Sequence, residues 1–183
     1  MSSIALQGNA GGTGVFTLAS PSSSSNYTLT LPAVTGTLVT TASPGTVLQV
    51  VQGTLSSPVS TTSLNTWVST GLAASITPTS SSNKILATVS GFGYTQGAAV
   101  QMVVTLYRGS TNLSTYGFSQ TYAASSATQG GITFSYLDSP ATTSSTTYTV
   151  YFTVANSAGT IQFNSLNAWG QPTATIILQE IAA

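Results

Sequence analysis

Thr147-Tyr148-Thr149-Val150-Tyr151-Phe152-Thr153-Val154-Ala155 decides the fold class. Tyr148, Val150, Phe152 and Val154 fall on one side of an extended chain, and Thr147, Thr149, Tyr151, Thr153 and Ala155 on the other. A period of two carried by β-branched and aromatic residues is the pattern of a half-buried strand. Most of the longer patterned segments share this period, and none sustains a helical one.

Working outward, candidate strands after the Pro44-Gly45 turn are 46–52, 66–69, 74–77, 84–90, 100–108, 112–119, 131–136, 146–155, 160–163 and 174–181. Val100, Met102, Val104 and Leu106 share one face, as do Ile85, Ala87 and Val89. Between them stand turn formers: Thr79 to Asn83, Arg108-Gly109-Ser110, Asp138-Ser139-Pro140 and Ala158-Gly159. Short strands at this spacing predict an all-β domain over residues 44–183, a β-sandwich or jelly roll. Thr175-Ile176-Ile177-Leu178 is apolar toward both faces, which predicts a central strand covered on one side by the opposing sheet and on the other by a partner.

Residues 1–43 form a different unit. A glycine cluster at Gly8 to Gly14 precedes Val15-Phe16-Thr17-Leu18. A Ser-rich loop at 21–26 precedes Tyr27-Thr28-Leu29-Thr30-Leu31, and Pro32 ends that run before Thr35 to Val39. Strands so few and short do not bury a core alone. They either pack against the same strands of other copies or lie as an arm on their own domain. Ile4, Leu6, Phe16, Leu18, Tyr27, Leu29 and Leu31 are the candidate anchoring and trimerisation residues.

Charged residues make up 2% of the 183 residues, against roughly 25% in an ordinary soluble domain. They are Lys84, Arg108, Asp138 and Glu180, and net charge is zero. Two isolated cations supply neither a nucleic-acid footprint nor attraction to an anionic membrane, so neither is an expected partner. A neutral surface gives copies little mutual repulsion, a composition suited to life inside an assembly. Low charge combined with patterned aromatics also argues against disorder. With no Cys there is no disulfide framework, and the compartment stays open. The start, Met1-Ser2-Ser3-Ile4, has no charged n-region and is not expected to be a signal peptide. No run approaches the roughly 18 apolar residues of a membrane span.

Chemistry is sparse. Without His there is no Ser-His-Asp triad and no imidazole metal ligand. Asp138 and Glu180 are the single acid pair, and they fit a turn former and a sheet-end charge better than a glycosidase pair. The glycines at 8, 11, 12 and 14 lack the Lys-Ser/Thr and the helix of a phosphate loop. Catalytic, metal and cofactor sites are therefore expected to be none. Asn26-Tyr27-Thr28 and Asn112-Leu113-Ser114 match a glycosylation sequon, but read as strand and turn residues. Trp67, Tyr94, Tyr116, Tyr122 and Trp169 are rings that pack in the core or at a subunit interface, or else stack on sugars. Of these, Trp169 and Tyr116 are the candidate saccharide contacts.

Several segments together resemble small β-rich structural proteins of tailed bacteriophages: Gly71 to Leu86, Leu106 to Thr111, Phe134 to Pro140 and Ile176 to Ile181. Gly12 to Leu18, Leu29 to Pro32 and Gly36 to Leu38 are similar to short modules of phage fibres. The resemblance implies a homotrimer with an intertwined N-terminal root of short strands and a jelly-roll head. It implies a non-enzymatic virion protein on the outer surface of the particle, either a capsid decoration (cement) protein or a short head fibre. Its partner would be the major capsid protein or another virion protein, held through residues 1–43. The alternative is a tail-fibre tip that recognises a host-surface saccharide.

Overall fold

The computed structural model describes residues 11–13, 17, 22–26, 43–165 and 172–183. The chain divides into two compact units, Met1–Thr37 and Leu38–Ala183. In the first, residues 22–26 are exposed loop, where the Ser25 N–H donates to Ser23 Oγ at 3.0 Å, a local bond by which serines hold turns. The candidate anchoring and trimerisation residues Ile4, Leu6, Phe16, Leu18, Tyr27, Leu29 and Leu31 lie outside the described residues, as does Trp169.

The second unit is all-β, with no helix among the described residues. Its strands are β1 Val47–Leu55, β2 Val59–Thr61, β3 Val68–Ile76, β4 Lys84–Gln96, β5 Val100–Arg108, β6 Thr111–Asn112, β7 Ser119–Ala123, β8 Ala127–Asp138, β9 Thr146–Asn156, β10 Thr160–Phe163 and β11 Ala174–Ile181. They form two antiparallel sheets. Sheet A runs β1-β11-β4, with β8 on the far edge of β4 and β10-β2 continuing from the second half of β4. Sheet B runs β3-β9-β5, with β7 and β6 side by side along the far edge of β5.

Setting aside the short β2, β6 and β10, the pairings nest. First pairs with last (β1·β11), then β3·β9, β4·β8 and β5·β7. This is a long hairpin rolled into two sheets, the jelly roll. The rolling brings the last strand inside sheet A with the first strand beside it on the edge, and the Gly45 N–H donates to the Ala182 carbonyl at 2.8 Å and the Ala182 N–H to Thr46 at 2.9 Å. The Pro44-Gly45 turn and the C-terminus therefore meet at one end of the sandwich, called the base below. β11 is central, between β1 and β4.

β9 behaves as its alternation demands. Tyr148, Val150, Phe152 and Val154 are wholly buried in the core between the sheets. Phe152 meets Phe163 of the opposite sheet with ring centroids 6.4 Å apart and planes tilted by 60°. Each such side chain contributes about 1.5–3 kcal/mol by leaving water.

β1 and β8 run longer than the expected 46–52 and 131–136, β2 was not expected, and three other segments depart further. Segments 66–69 and 74–77 are joined in β3 across a bulge between Ser69 and Ala73, where Gly71 takes φ +78°. Buried Thr70 repairs the broken ladder, donating its hydroxyl to the Val150 carbonyl at 2.8 Å. β4 runs on through Gly91-Phe92-Gly93 to Gln96 instead of stopping at Ser90, because side chains take the space that a Cβ would occupy. Phe163 lies against Gly91 and Met102 against Gly93. The expected strand 112–119 is mostly a turn flanked by β6 and β7, for reasons given below.

Candidate functional site

Two constellations of polar side chains stand out in the sandwich, and they use their polar atoms in opposite ways. The first is at the base. Strand register places Asp138 and Glu180 on either side of Ile85, one on β8 and one on β11, both turned inward. They are far apart in sequence, and the sheet aligns them in a single row. Neither reaches solvent freely: Asp138 is 5% exposed and Glu180 not at all.

Each carboxylate is saturated. Glu180 Oε1 accepts from the Thr79 N–H (2.6 Å), the Thr79 hydroxyl (2.8 Å) and the Asn83 amide (2.6 Å), and Oε2 accepts from Gln49 Nε2 at 2.6 Å. The turn after β3 is thereby tied to the last strand. Burial pushes the Glu180 pKa up, but the bonds from Asn83, Gln49 and Thr79 outweigh it and hold the group down at about 2. Asp138 pairs with Arg108, whose Nη1 lies 2.9 and 2.8 Å from the two carboxylate oxygens and 3.3 Å from the Ser139 carbonyl. The Tyr148 hydroxyl donates to Asp138 Oδ2 at 2.6 Å. Burial and this anionic acceptor raise the Tyr148 pKa well above its ordinary value. Arg108 and Asp138 come from different sheets, so the pair clamps the sandwich across its base.

The second constellation is an open groove of about 300 Å³ on the outer face of sheet B. Its floor is Val103 of β5 with Thr153 and Ala155 of β9; one wall is Asn65 and Trp67, the other Thr115 and Tyr116. The floor follows from the alternation of β9, since Thr153 and Ala155 belong to the face opposite the core. Both walls are fastened to the sheet. On the β9 side, Leu64 bridges Val154, the Asn65 N–H donates to the Val154 carbonyl at 2.8 Å, and Asn65 takes φ +53°.

On the β5 side, buried Thr105 is within hydrogen-bonding distance of Asn112 Oδ1 and the Ser114 carbonyl, 2.8 Å from each. Asn112 Oδ1 accepts from the Ser114 N–H, Ser114 Oγ donates to the Gly117 carbonyl, and the Phe118 N–H returns to Val104 at 2.8 Å. Gly117, at φ +78°, completes the turn. This network is why residues 113–118 do not extend as a strand, and it leaves Tyr116 94% exposed at the crest of a rigid turn.

The structure separates the four described rings of the five singled out from the sequence. Tyr116 and Trp67 line the same groove from opposite sides. Tyr122, 49% exposed, stands on the same face, while Tyr94 is buried in sheet A. Sequence reasoning did not find Asn65, Thr115, Val103, Thr153 and Ala155 as companions of the rings. The outward positions of β9 were legible, but the loops that flank them are brought there by tertiary pairing. Among the described residues no group of three or more His, Cys, Asp or Glu is placed to hold a metal ion.

No protein-family model matches the chain, and no curated protein matches it. Among solved structures the chain is similar to a protein of the disulfide-linked pili that form Bacillus endospore appendages. That match has 18% identity over 78% of this chain and 98% of the other, with a TM-score of 0.33. It is also similar to a chain of infectious bursal disease virus, strain Gx, at 10% identity over 74% of this chain and a TM-score of 0.39. The second match spans 37% of the virus chain. At these TM-scores neither match carries weight for fold or function, and the jelly-roll assignment rests on this chain's own strand order.

Proposed function

We propose that the protein is a non-enzymatic structural protein of a tailed-phage virion: a homotrimeric capsid decoration protein, or a short head fibre, attached through residues 1–43. The observation that carries this reading is the allocation of charge. Both acids of the chain are buried and saturated at the base, so neither is free to act as acid, base or nucleophile. Apart from exposed Lys84 and partly exposed Arg108, the described surface left over is made of hydroxyls, amides and apolar side chains. On the outer face of sheet A one row across four strands reads Val50, Gln179, Leu86 and Leu137, with Val50 58% and Leu137 51% exposed. An exposed aliphatic row of this kind, with Lys84 as the one charge on β4 beside it, supports residence among neighbours, where other subunits cover the aliphatic groups.

Light scattering tests the reading. Full-length protein at a mass near three times the chain's 18.5 kDa, with residues 44–183 alone at the monomer mass, is the expected pair of results. Loss of particle binding on removing residues 1–43 is the companion expectation. A full-length monomer, or a truncated form that still decorates capsids fully, overturns it.

A further inference from the structure

We infer that the groove on the outer face of sheet B is a binding site for a neutral saccharide. The inference goes beyond the structural role and does not depend on where in a particle the protein sits. Four observations converge on it.

The first is the pair of rings. Tyr116 and Trp67 stand on opposite walls of a groove whose volume is at the lower edge of the roughly 300–1,000 Å³ typical of small-ligand sites. Tyrosine and tryptophan offer a broad apolar face and a polar tip at little cost in side-chain entropy. The apolar face of a pyranose ring stacks on such a surface. Tyr116 has no packing role to explain it, being almost wholly in solvent.

The second is the set of unspent polar groups. Within the described chain, no hydrogen bond engages the Asn65 amide, the Thr115 or Tyr116 hydroxyl, or the Trp67 indole N–H. Sugar hydroxyls, each both donor and acceptor, match this mixed set.

The third is rigidity. Both walls are held by backbone bonds to β5 and β9, and the Tyr116 turn by the buried network around Thr105. A wall already held in place loses little freedom on binding.

The fourth is charge. No lining residue is charged. Without a cation to meet a carboxylate, sialic acids and uronates gain nothing here over neutral hexoses. Rings continue on both sides of the groove. Tyr122 lies on β7 opposite Gln101, which itself pairs with Ala155 of the floor, and Tyr151 and Tyr107 lie further along the same face with ring centroids 4.1 Å apart. The strip suits several sugar units in line rather than a single monosaccharide.

The test uses the full-length chain. Trp67 and Trp169 are its two tryptophans, so a Trp169→Phe variant reports Trp67 alone by fluorescence. Neutral oligosaccharides of glucose, mannose and galactose are titrated beside sialyllactose and an oligogalacturonate. The expected result is a saturable change in Trp67 emission with at least one neutral oligosaccharide, and none stronger with the anionic probes. Tyr116→Ala should weaken that binding about tenfold while leaving the melting temperature in place, and Leu137→Ala on sheet A should leave binding unchanged. The inference is overturned if no neutral oligosaccharide changes the emission, or if calorimetric titration, which needs no tryptophan, shows that Tyr116→Ala and Trp67→Phe both leave affinity intact. It is equally overturned if Tyr116→Ala lowers the oligomeric mass, because the groove is then a contact between copies.

Discussion

At the base of the sandwich, Glu180 accepts four hydrogen bonds and Asp138 takes both a guanidinium and a phenol. In the groove on sheet B, four residues carry side-chain polar groups that no described residue engages. The contrast teaches where this protein puts its scarce charge. A buried carboxylate is costly unless every lone pair is met, and once met it holds a turn or an edge in one geometry. Recognition is then left to neutral groups, whose exposure costs little. Substitutions at the base should therefore act on stability, and substitutions in the groove on binding.

Glu180→Ala should be the most damaging change. It takes the acceptor from the Thr79 N–H, leaves Gln49 Nε2 with only the Thr77 carbonyl and Asn83 Nδ2 with only Thr79 Oγ1, and frees the turn after β3. A loss on the order of 3 kcal/mol is expected, a fall in Tm of roughly 10 °C for a body of this size. Urea unfolding measures it, and a loss below about 0.5 kcal/mol would show that the base is not a lock.

The same group sets the acid limb. Its folded pKa, about 2, lies below its ordinary 4.5, so the stability it contributes is present above about pH 4.5 and lost as pH falls toward 2. Glu180→Gln should flatten this limb. Tyr148 acts in the opposite sense, because its folded pKa is raised. Its contribution is whole below its ordinary 10.0 and is lost as pH rises beyond that value. Thermal melts of wild type, Glu180→Gln and Tyr148→Phe across pH 2–11 separate the two ends.

Gly117→Ala sits between the two regions. A Cβ there would lie 2.3 Å from Val103 Cγ1 and 2.9 Å from the Val104 carbonyl oxygen, on a backbone of positive φ. About 1–3 kcal/mol of destabilisation is expected. Because the turn carries Tyr116, saccharide affinity should fall with it. Unchanged affinity in a destabilised variant would uncouple the turn from the site. Tyr116→Ala should have the smallest effect on stability, within about 0.5 kcal/mol. A larger loss by calorimetry would mean that the ring supports the fold after all.

The strands that alternate without interruption were legible before the structure. The bounds expected for β5, β10 and β11 coincide with those observed, and β9 differs by one residue. Failures cluster where side chains compete with the ladder. The strand expected over 84–90 stops short of Gly91 and Gly93, because the side chains that fill their space come from β5 and β10 and leave no mark in the local pattern. Residues 113–118 read as strand because the pattern does not reveal that Thr105 and Asn112 would capture their backbone. Of the groove, the rings were legible and their partnership was not. Tyr116 and Trp67 come to line one groove through the pinning of two separate loops to β5 and β9.

The sequence by itself determined an all-β body, the inward face of its main strands, the want of charge, and a distinct N-terminal segment, because alternation and composition are local properties. Only the tertiary structure decided that Asp138 and Glu180 share a row across β4, that Arg108 reaches Asp138 from the other sheet, and that Trp67 and Tyr116 line one groove. Each of those is a pairing between strands or loops distant in sequence. Register and rolling set such pairings, and neither is written in the period of any one strand.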